Sequence, residues 1–340
     1  MAVVSIVSWN LLAPSFAQPS KYPWAKPTDL DWVHREAKIV KQLSEMDADI
    51  VCLQEVEVAL WDGMLRQLDD LGYEGVLQET KRGHPVANAV LLRRGLLRVV
   101  RTESRSRALI TVLAACEQPG PAAPISGAGF RTAVRESARP LSPLYLGNVH
   151  LEAGGDKGTT RLNQLRSLLR RMKSQQEVDD TAAADAPLLL TGDFNFDRSA
   201  DLHRFLSSGS LPNSGVSAPL SPRKMASPLL PLRDAYLETP PPWGPALRSS
   251  YRNGRLLDYV WTSPSLSVVR TMPVCDFAGS SQPHQLPSSM HPSDHLPIGA
   301  LVSWPGGPPP ATRRLPAWQD IFVENVQPQP KQTGRGNRKR

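Results

Sequence analysis

The sequence predicts a single α/β domain, an α/β sandwich in which helices pack against sheets. Apolar runs of strand length occupy 3–7, 50–53 and 188–191, and other segments repeat apolar residues at helical spacing. A chain of 340 residues is long enough for two domains. However, the polar motifs that follow the apolar runs are spread over the first 300 residues. A site assembled from both halves of the chain requires one domain, which we place at 1–304.

Each of these apolar runs ends in residues that can bind cations or transfer protons. When strands end at the same edge of a sheet, their terminal side chains lie close together. The expected cluster contains two amides, three carboxylates and an imidazole: Asn10, Asn195, Glu55, Asp193, Asp294 and His295. These groups suit a metal-dependent phosphodiesterase, which must neutralise charge on phosphorus and activate water near neutral pH.

Three helices are expected to pack on the sheets. The first covers 28–46, where Thr28 can act as the cap and apolar residues recur at helical spacing: Leu30, Val33, Ala37, Val40 and Leu43. The other helices are expected at 59–71 and 160–172. Further strands are predicted at 89–92, 110–115, 144–149, 256–261 and 298–302.

Stretches rich in Pro, Ser, Gly or Ala interrupt these elements. We interpret 118–143, 207–231 and 278–292 as loop insertions, where substrate choice is commonly encoded. Residues 305–340 are expected to form a disordered basic tail. The last ten residues carry five of the seven net positive charges, which leaves +2 for 1–330. The tail could contact RNA, act as a nuclear address or remain an inert solvated end.

Composition indicates an intracellular protein. The chain has three cysteines, no apolar run approaching 18 residues, and no charged start before a hydrophobic core. These features argue against secretion and against a transmembrane segment. We expect a cytoplasmic monomer, with the nucleus as the alternative location.

Oxygen atoms are the expected metal ligands. Cys52, Cys116 and Cys275 lie too far apart in the sequence for a structural zinc site. Carboxylate and amide oxygens suit hard divalent cations. Mg2+ is therefore the expected cofactor, with Mn2+ as the alternative.

Asp258 and His295 form a second expected pair. Asp258 lies in an apolar strand sequence, where a carboxylate is costly without a partner. His295 is the candidate partner. Five other histidines lack such company and are expected at the surface or in loops: His34, His84, His203, His284 and His291.

The motifs and their order resemble the endonuclease/exonuclease/phosphatase superfamily, whose members have a two-sheet α/β sandwich of the deoxyribonuclease-like type. The resemblance spans roughly 2–304 and rests on six motifs: Trp9-Asn10, Leu53-Gln54-Glu55, Asn148-Val149-His150-Leu151, Gly192-Asp193-Phe194-Asn195, Leu257-Asp258-Tyr259-Val260 and Ser293-Asp294-His295. It implies that Glu55, supported by Asn10, holds the metal, with Asp294 close to the metal or its waters.

The resemblance also implies the catalytic roles. Asp193 would orient or deprotonate the attacking water, and Asn195 would position that water or the phosphate. His295 would donate to a phosphoryl oxygen, with its tautomer fixed by Asp258. His150 would be a second donor, and no covalent intermediate is expected.

The sequences that flank the motifs are similar to the carbon catabolite repressor deadenylases, nocturnin and the Angel proteins. That subfamily cleaves single-stranded RNA, typically poly(A), from its 3′ end and releases nucleoside 5′-monophosphates. The resemblance therefore implies a 3′–5′ exoribonuclease whose partner is single-stranded RNA. Departures from the subfamily pattern occur at Val149, Asp197-Arg198-Ser199 and Ala87-Asn88-Ala89.

Other activities stay open. One alternative is a phosphatase or phosphodiesterase on a small or lipid substrate, such as the 2′-phosphate of NADP(H), a phosphoinositide or sphingomyelin. A DNA endonuclease is another. A non-catalytic protein that retains the fold is disfavoured because every expected polar position is filled.

An RNA substrate would require aromatic and basic groups near the metal. Arg161 and Asn88 are the expected substrate-binding residues. Candidate stacking residues are Tyr22, Trp24, Trp61, Trp243 and Tyr251, and further candidate phosphate contacts are Arg248, Arg252 and Arg255. For any one of these aromatic residues, a role in the core or in covering a loop is the alternative.

Overall fold

Two six-stranded β-sheets form the framework of the fold in the computed structural model. The structure describes residues 2–80, 83–116, 143–182, 186–211, 229–239, 247, 249–274, 285–308, 315–316 and 318. The predicted two-sheet α/β sandwich is confirmed. Within the described residues, no helix has both the length and the apolar character needed to cross a membrane.

The described residues form twelve strands and six α-helices. The strands are β1 (Val3–Asn10), β2 (Ile50–Glu57), β3 (Tyr73–Leu77), β4 (Val86–Arg93), β5 (Leu97–Arg105), β6 (Ala108–Ala115), β7 (Leu144–His150), β8 (Leu188–Asp193), β9 (Arg233–Asp234), β10 (Asp258–Thr262), β11 (Ser267–Thr271) and β12 (Ile298–Ser303). The helices are α1 (Pro27–Leu30), α2 (Trp32–Met46), α3 (Trp61–Asp70), α4 (Gly158–Val178), α5 (Asp201–Ser208) and α6 (Ala235–Glu238).

Strand order places two parallel pairs inside the sheets. One sheet has the order β11-β12-β1-β2-β4-β3, and the other has the order β5-β6-β7-β8-β10-β9. The pairs β1–β2 and β7–β8 are parallel, whereas β10 runs antiparallel to β8 and pairs Asp258 with Asp193. Each sheet therefore has two neighbouring strands that end at the same edge.

Alternation along β1 divides its side chains between two cores. Val4 and Ile6 belong to a buried cluster that also contains residues of the second sheet and of α4. Val7 and Trp9 lie in another cluster, which contains buried residues of α2 and α3. Because successive side chains point to opposite faces, Asn10 shares the phase of Val4 and Ile6 and faces the other sheet.

The strands missed by the sequence are the edge strands. All eight inner strands were predicted, whereas β3, β5, β9 and β11 lie at the four sheet edges and were not. Along β5, half-buried and exposed residues alternate after the buried Leu97, and charged side chains occur in both sets. An edge strand can keep one face in solvent, so it lacks the continuous apolar run that identifies an inner strand.

The first predicted helix was wrong in its start and in part of its buried face, since Leu30 and Leu43 are buried as predicted but the other stripe positions are not. A single turn, α1, ends at Leu30, and α2 begins after Asp31, whose side chain accepts a hydrogen bond from His34 N. Val33, expected in the apolar stripe, is 72% exposed. The buried positions are Arg35, Ile39, Leu43 and Met46. A buried arginine shifts this face, and a search for apolar spacing does not detect it.

Packing continues beyond the predicted boundary at residue 304. The Trp318 side chain is fully buried and donates Nε1 to Met46 O at 2.9 Å. Trp318 therefore packs against the domain, although it lies within the tail predicted at 305–340. The basic end of the chain lies outside the described residues, as do most of the first two predicted insertions and the start of the third.

Gly192 is the tightest backbone position next to the predicted cluster. Its φ is +135°, and a Cβ atom placed on it would lie 2.0 Å from the carbonyl oxygen of Val149 on the neighbouring parallel strand. Glycine is the residue that tolerates both conditions. The Gly-Asp step at the end of β8 is therefore fixed by backbone packing.

We expect Gly192→Ala to lower the free energy of unfolding by about 3 kcal/mol or more, because the methyl group meets backbone atoms. Urea unfolding measures this change. The matched control is Gly63→Ala in α3, where nothing lies within 4 Å of the added Cβ; it should be neutral or up to about 1 kcal/mol more stable. Equal stability of the two variants would contradict the close approach.

Candidate active site

Asn10 bridges the two sheets at the centre of the site. Its Nδ2 donates to Glu55 Oε1 at 3.1 Å and to Asp193 Oδ2 at 3.2 Å. Leu12 N donates to Asn10 Oδ1 at 3.0 Å, which fixes the orientation of the buried amide. The end of β1 therefore meets the end of β8 through one side chain.

Glu55 reaches the site through an irregularity in β2. The pairing of β2 with β4 shifts register between Leu53 and Val56, and Glu55 has φ of +55°. A β-bulge re-aims a side chain, and the left-handed conformation costs a non-glycine residue about 1–3 kcal/mol. Ala13 N donates to Glu55 Oε2 at 3.1 Å. The carboxylate is thus held from β1 and from the loop that follows it.

Asp193 and Asn195 share a tight turn after β8. Asn195 N donates to Asp193 Oδ1 at 2.8 Å, and Asn195 Nδ2 donates to Leu151 O at 3.0 Å. Asn195 has φ of +55°, a conformation that asparagine tolerates better than most residues. The turn leaves Asp193 Oδ2 next to Asn10 and the site histidines.

The predicted pair of Asp258 and His295 is brought together. His295 Nδ1 lies 2.8 Å from Asp258 Oδ2, and Ser250 Oγ donates to the same oxygen at 2.6 Å. His295 Nε2 lies 3.6 Å from Asp193 Oδ2. The imidazole therefore lies between two carboxylates, with its Nε2 on the side of the cluster. The sequence analysis missed Ser250, because a serine in a loop carries no distinctive pattern.

His150 joins the cluster from the end of β7. Its Nε2 lies 3.6 Å from both Glu55 Oε1 and Asp193 Oδ2. Burial lowers the pKa of His150 below its ordinary value. The ring is therefore neutral near pH 7 and can donate one hydrogen bond without adding a charge.

The site concentrates negative charge in a buried volume. Burial raises the pKa of Asp193 to about 6, and the Asp258 carboxylate adds to the increase. Burial likewise raises the pKa of Glu55, with a further contribution from Asp294. Burial alone would lower the pKa of His295, but Asp258 and Asp193 outweigh it and raise the pKa well above its ordinary value. The site thus favours added positive charge.

Asp294 is held beside the cluster by residues from two other loops. Tyr22 OH donates to Asp294 Oδ2 at 2.8 Å, and Arg252 Nε lies 3.9 Å from the same oxygen. The Arg252 guanidinium lies 4.7 Å from the Tyr22 ring centroid. Tyr22 is buried, so it supports Asp294 and is not an exposed stacking surface.

Arg35 ties α2 to the loops that carry the site residues. Its Nε donates to Pro292 O at 2.6 Å, and its Nη2 donates to the carbonyl oxygens of Leu11 and Leu12. Pro292 lies two residues before Asp294. Sequence analysis missed this residue because an arginine within a helix is most often solvated.

Arg161 and Asn88, the predicted substrate-binding residues, are both buried. Arg161 Nη1 donates to Glu152 O at 2.8 Å and to Gly154 O at 2.7 Å, which holds the loop after β7. Asn88 Nδ2 donates to Asn148 O at 3.3 Å. Each has a structural contact, and contact with substrate stays a prediction.

The other aromatic and basic candidates lie in several environments. Trp24 and Tyr251 join Tyr22 around Arg252, whose guanidinium lies 5.3 Å from the Trp24 ring centroid and 5.6 Å from that of Tyr251. Trp61 is buried in the core between α3 and its sheet, so its role is structural. Trp24 is 37% exposed, and the Tyr251 ring lies 4.7 Å from the His295 ring. Arg255 pairs with Asp197 at 2.7 Å. Trp243 and Arg248 lie outside the described residues.

His203 does not lie at the surface as predicted. It is buried in α5, with Nε2 3.3 Å from Asp234 Oδ2 and its ring 4.7 Å from that of Trp261. The reason is the amphipathic pattern of α5, which places His203 on the same buried face as Leu202 and Leu206. A paired acidic residue makes this burial tolerable.

Two separate groups of residues could hold a cation. Asp193, Asp258 and His295 offer ligand atoms within 4.8 Å of one another, but Asp258 Oδ2 already contacts both Ser250 Oγ and His295 Nδ1. The second group, Glu55 with Asn10 and Asp294, contains carboxylates that repel one another. This second group offers hard oxygen donors, which fit a divalent cation better than a group that includes an imidazole already paired with a carboxylate.

Comparison with known proteins relates the chain to a described family. The model of the Endonuclease/Exonuclease/phosphatase family matches residues 7–295. Carbon catabolite repressor protein 4 homolog 4 of Arabidopsis thaliana is 26% identical, over 87% of this chain and 76% of that protein. The human 2′,5′-phosphodiesterase 12 is 24% identical, over 89% of this chain, but the match spans only 52% of its length.

A solved structure has a similar fold. The structure of ANGEL2, a 2′,3′-cyclic phosphatase, in complex with adenosine-2′,3′-vanadate superposes with a TM-score of 0.65. It is 20% identical in sequence and covers 88% of this chain and 95% of that one. At this identity the similarity concerns the fold.

The electrostatic arrangement predicts an unusual titration of His295. In metal-free protein with carbon-13-labelled histidine, we expect the His295 ring to remain protonated well above pH 6.5. Asp258→Asn should lower this pKa, because burial then meets less opposing charge. Asp62→Asn, at an exposed position of α3, is the matched control and should leave the signal unchanged. A His295 pKa insensitive to Asp258→Asn would contradict the pairing.

Proposed function

This chain belongs to the endonuclease/exonuclease/phosphatase family, and we propose that it hydrolyses phosphodiester bonds with the help of a divalent cation. The observation that carries the proposal is the meeting of Glu55 and Asp193 at the Asn10 amide, with His295 Nε2 3.6 Å from Asp193 Oδ2. The three side chains come from separate motifs and from both sheets. His150 and Asn195 lie beside these side chains and add further hydrogen-bond donors and acceptors to the site.

Glu55, Asn10 and Asp294 would hold the cation, which we propose to be Mg2+, with Mn2+ as the alternative. The fit rests on oxygen donors and on the raised pKa of Glu55, which reflects burial and repulsion from Asp294. When bound, such a cation stabilises charge on the phosphoryl group and lowers the pKa of a bound water.

Asp193 would accept the proton of the attacking water. Burial raises its pKa to about 6, close to the range in which a general base works well at neutral pH. Asn195 holds the Asp193 carboxylate through its backbone N–H and can offer its side chain to water or phosphate. The attack would be direct, without a covalent intermediate on the protein.

His295 would donate from Nε2 to a phosphoryl oxygen as negative charge develops. Asp258 Oδ2 accepts a hydrogen bond from His295 Nδ1. The Asp258 carboxylate also raises the pKa of His295 and so keeps the ring protonated. His150, neutral through burial, would supply a second donor. Two donors whose positions are fixed by the fold stabilise the transition state more than mobile water does, because they need not reorient during the reaction.

Single-stranded RNA, degraded from its 3′ end, is the proposed substrate. The names of the relatives support this class: one is a carbon catabolite repressor protein homolog and another is a 2′,5′-phosphodiesterase. The chain spans about half the length of the latter. A second candidate is a phosphatase acting on a small nucleotide, supported by the similar fold of a 2′,3′-cyclic phosphatase.

A substrate panel would separate these activities. Purified protein with Mg2+ should shorten a 5′-labelled RNA that ends in adenosines to a descending ladder. The same RNA with a 2′,3′-cyclic end, a 2′–5′-linked oligoadenylate and NADPH form the other arms. Phosphate release from NADPH, or opening of the cyclic end, with uncut RNA would contradict the exonuclease proposal.

Asp193→Asn and His295→Ala should each lower kcat by roughly a thousandfold or more, because each removes a proton-transfer or charge-stabilising group. Asp193→Asn should leave stability intact, since it removes a buried charge. The matched control is Asp201→Asn at a partly exposed position of α5, which should retain full rate. Near-normal rates in both site variants would refute the assignment.

Glu55→Gln tests the metal assignment separately. The amide keeps the shape of the side chain and an oxygen near Ala13 N, so the fold should survive. We expect a higher Mg2+ concentration for half-maximal rate and partial recovery at saturating metal. Glu57→Gln, two residues along the same strand, is the control. An unchanged Mg2+ requirement with a lowered rate would argue against Glu55 as a ligand.

A further inference from the structure

A cavity of about 420 Å3 adjoins the catalytic cluster through His150. The residues that line it come from separate parts of the chain. Phe16 belongs to the loop after β1, Gln78 follows β3, Asn88 lies in β4, and Arg105 and Arg107 flank the turn between β5 and β6. The volume lies in the range of small-molecule sites.

Hydrogen bonds fix the wall of this cavity. Gln78 N donates to Asn88 O at 2.8 Å, and Asn88 N donates to Gln78 Oε1 at 3.1 Å. Gln78 Nε2 donates to Arg105 O, which ties this wall to the β5–β6 turn. Both amide side chains are buried. The cavity is therefore formed before any ligand arrives, which reduces the ordering cost of binding.

The lining combines groups that recognise nucleotides. Phe16 offers an aromatic ring, and Arg105 and Arg107 carry positive charge that outnumbers the one carboxylate of the lining, that of Glu79. Arg107 pairs with Glu152, and Arg105 lies 3.6 Å from Glu103; both pairs are partly exposed, and such pairs are weak enough to exchange for a phosphate. Bases stack on aromatic rings, and phosphates bind arginine.

The same lining disfavours a lipid. Among the thirteen lining residues, the apolar side chains are Phe16, Val86 and Ala87. An acyl chain requires continuous apolar walls, because burying polar groups without partners is costly. A ligand with one flat apolar face and several polar edges suits this set of side chains.

We infer that this cavity binds the nucleoside attached to the phosphate under attack, with its base stacked on Phe16 and adjacent phosphate charge met by Arg105 and Arg107. The link to catalysis rests on the proposed function, whereas nucleotide binding itself does not. The cavity would thus select a nucleotide substrate over a lipid or an inositol phosphate.

Binding of adenosine 5′-monophosphate to the full chain provides the test. Measurements in EDTA exclude hydrolysis, and ligand-observed NMR gives the affinity. We expect this nucleotide to bind about tenfold or more tightly than ribose 5-phosphate, because base stacking adds to affinity. Phosphocholine, the lipid head-group probe, should bind no better than ribose 5-phosphate. Equal binding of the nucleotide and ribose 5-phosphate would overturn the inference.

Two aromatic positions make a matched pair of variants. Phe16→Leu keeps an apolar side chain but removes the ring, and it should weaken nucleotide binding about tenfold. Phe16→Tyr keeps the ring and should retain affinity. Trp24→Leu removes an exposed aromatic residue that does not line the cavity, so affinity should stay unchanged. If Trp24→Leu lowers nucleotide affinity and Phe16→Leu does not, the base binds elsewhere and the inference is overturned.

Kinetics distinguish failure of this inference from failure of the proposed function. With an RNA substrate, Phe16→Leu should raise KM with little change in kcat. If the nucleotide binds through Phe16 but no phosphodiester is cleaved, the cavity assignment holds and the proposed function fails. If RNA is cleaved and Phe16→Leu changes neither binding nor KM, the proposed function holds and the cavity assignment fails.

Discussion

Four carboxylates, those of Glu55, Asp193, Asp258 and Asp294, share one largely buried site, and the structure around them is arranged to tolerate that charge. Burying like charges together raises their pKa values and destabilises the fold unless partners compensate. His295 lies between two of these carboxylates, and Tyr22 donates to a third. A divalent cation would supply the remaining compensation, so the same charge that strains the fold provides affinity for the cofactor.

The backbone supports this arrangement by departing from regular geometry at the site. A bulge in β2 turns Glu55 inward, a left-handed turn orients Asn195, and Gly192 permits close contact between β7 and β8. Such conformations persist where surrounding structure over-determines them. Here the two sheets do so, and Arg35 adds hydrogen bonds between α2, the loop that follows Asn10 and the loop that carries Asp294.

Elements and contacts could be predicted from the sequence where the structure requires a particular residue type. They could not be predicted where the position of a residue depends on how distant segments pack. The eight inner strands were predictable because buried strands require apolar runs, and Asp258 pointed to His295 because a buried carboxylate requires a partner. The buried face of α2 could not be predicted in the same way, because Arg35 occupies a position where spacing favours an apolar residue. Ser250 and the Tyr22 contact to Asp294 depend on loops that meet only in the folded chain.

We propose a division of labour in which Glu55, Asn10 and Asp294 hold the cation, whereas Asp193 and His295 transfer protons and stabilise charge, with Asp258 as the partner of His295. Anomalous X-ray diffraction from crystals soaked in Mn2+ provides a direct test. We expect an anomalous peak within coordination distance of Glu55, with the hydrogen bond between Asp258 and His295 retained. A peak enclosed by Asp193, Asp258 and His295, with Glu55 unbound, would contradict it.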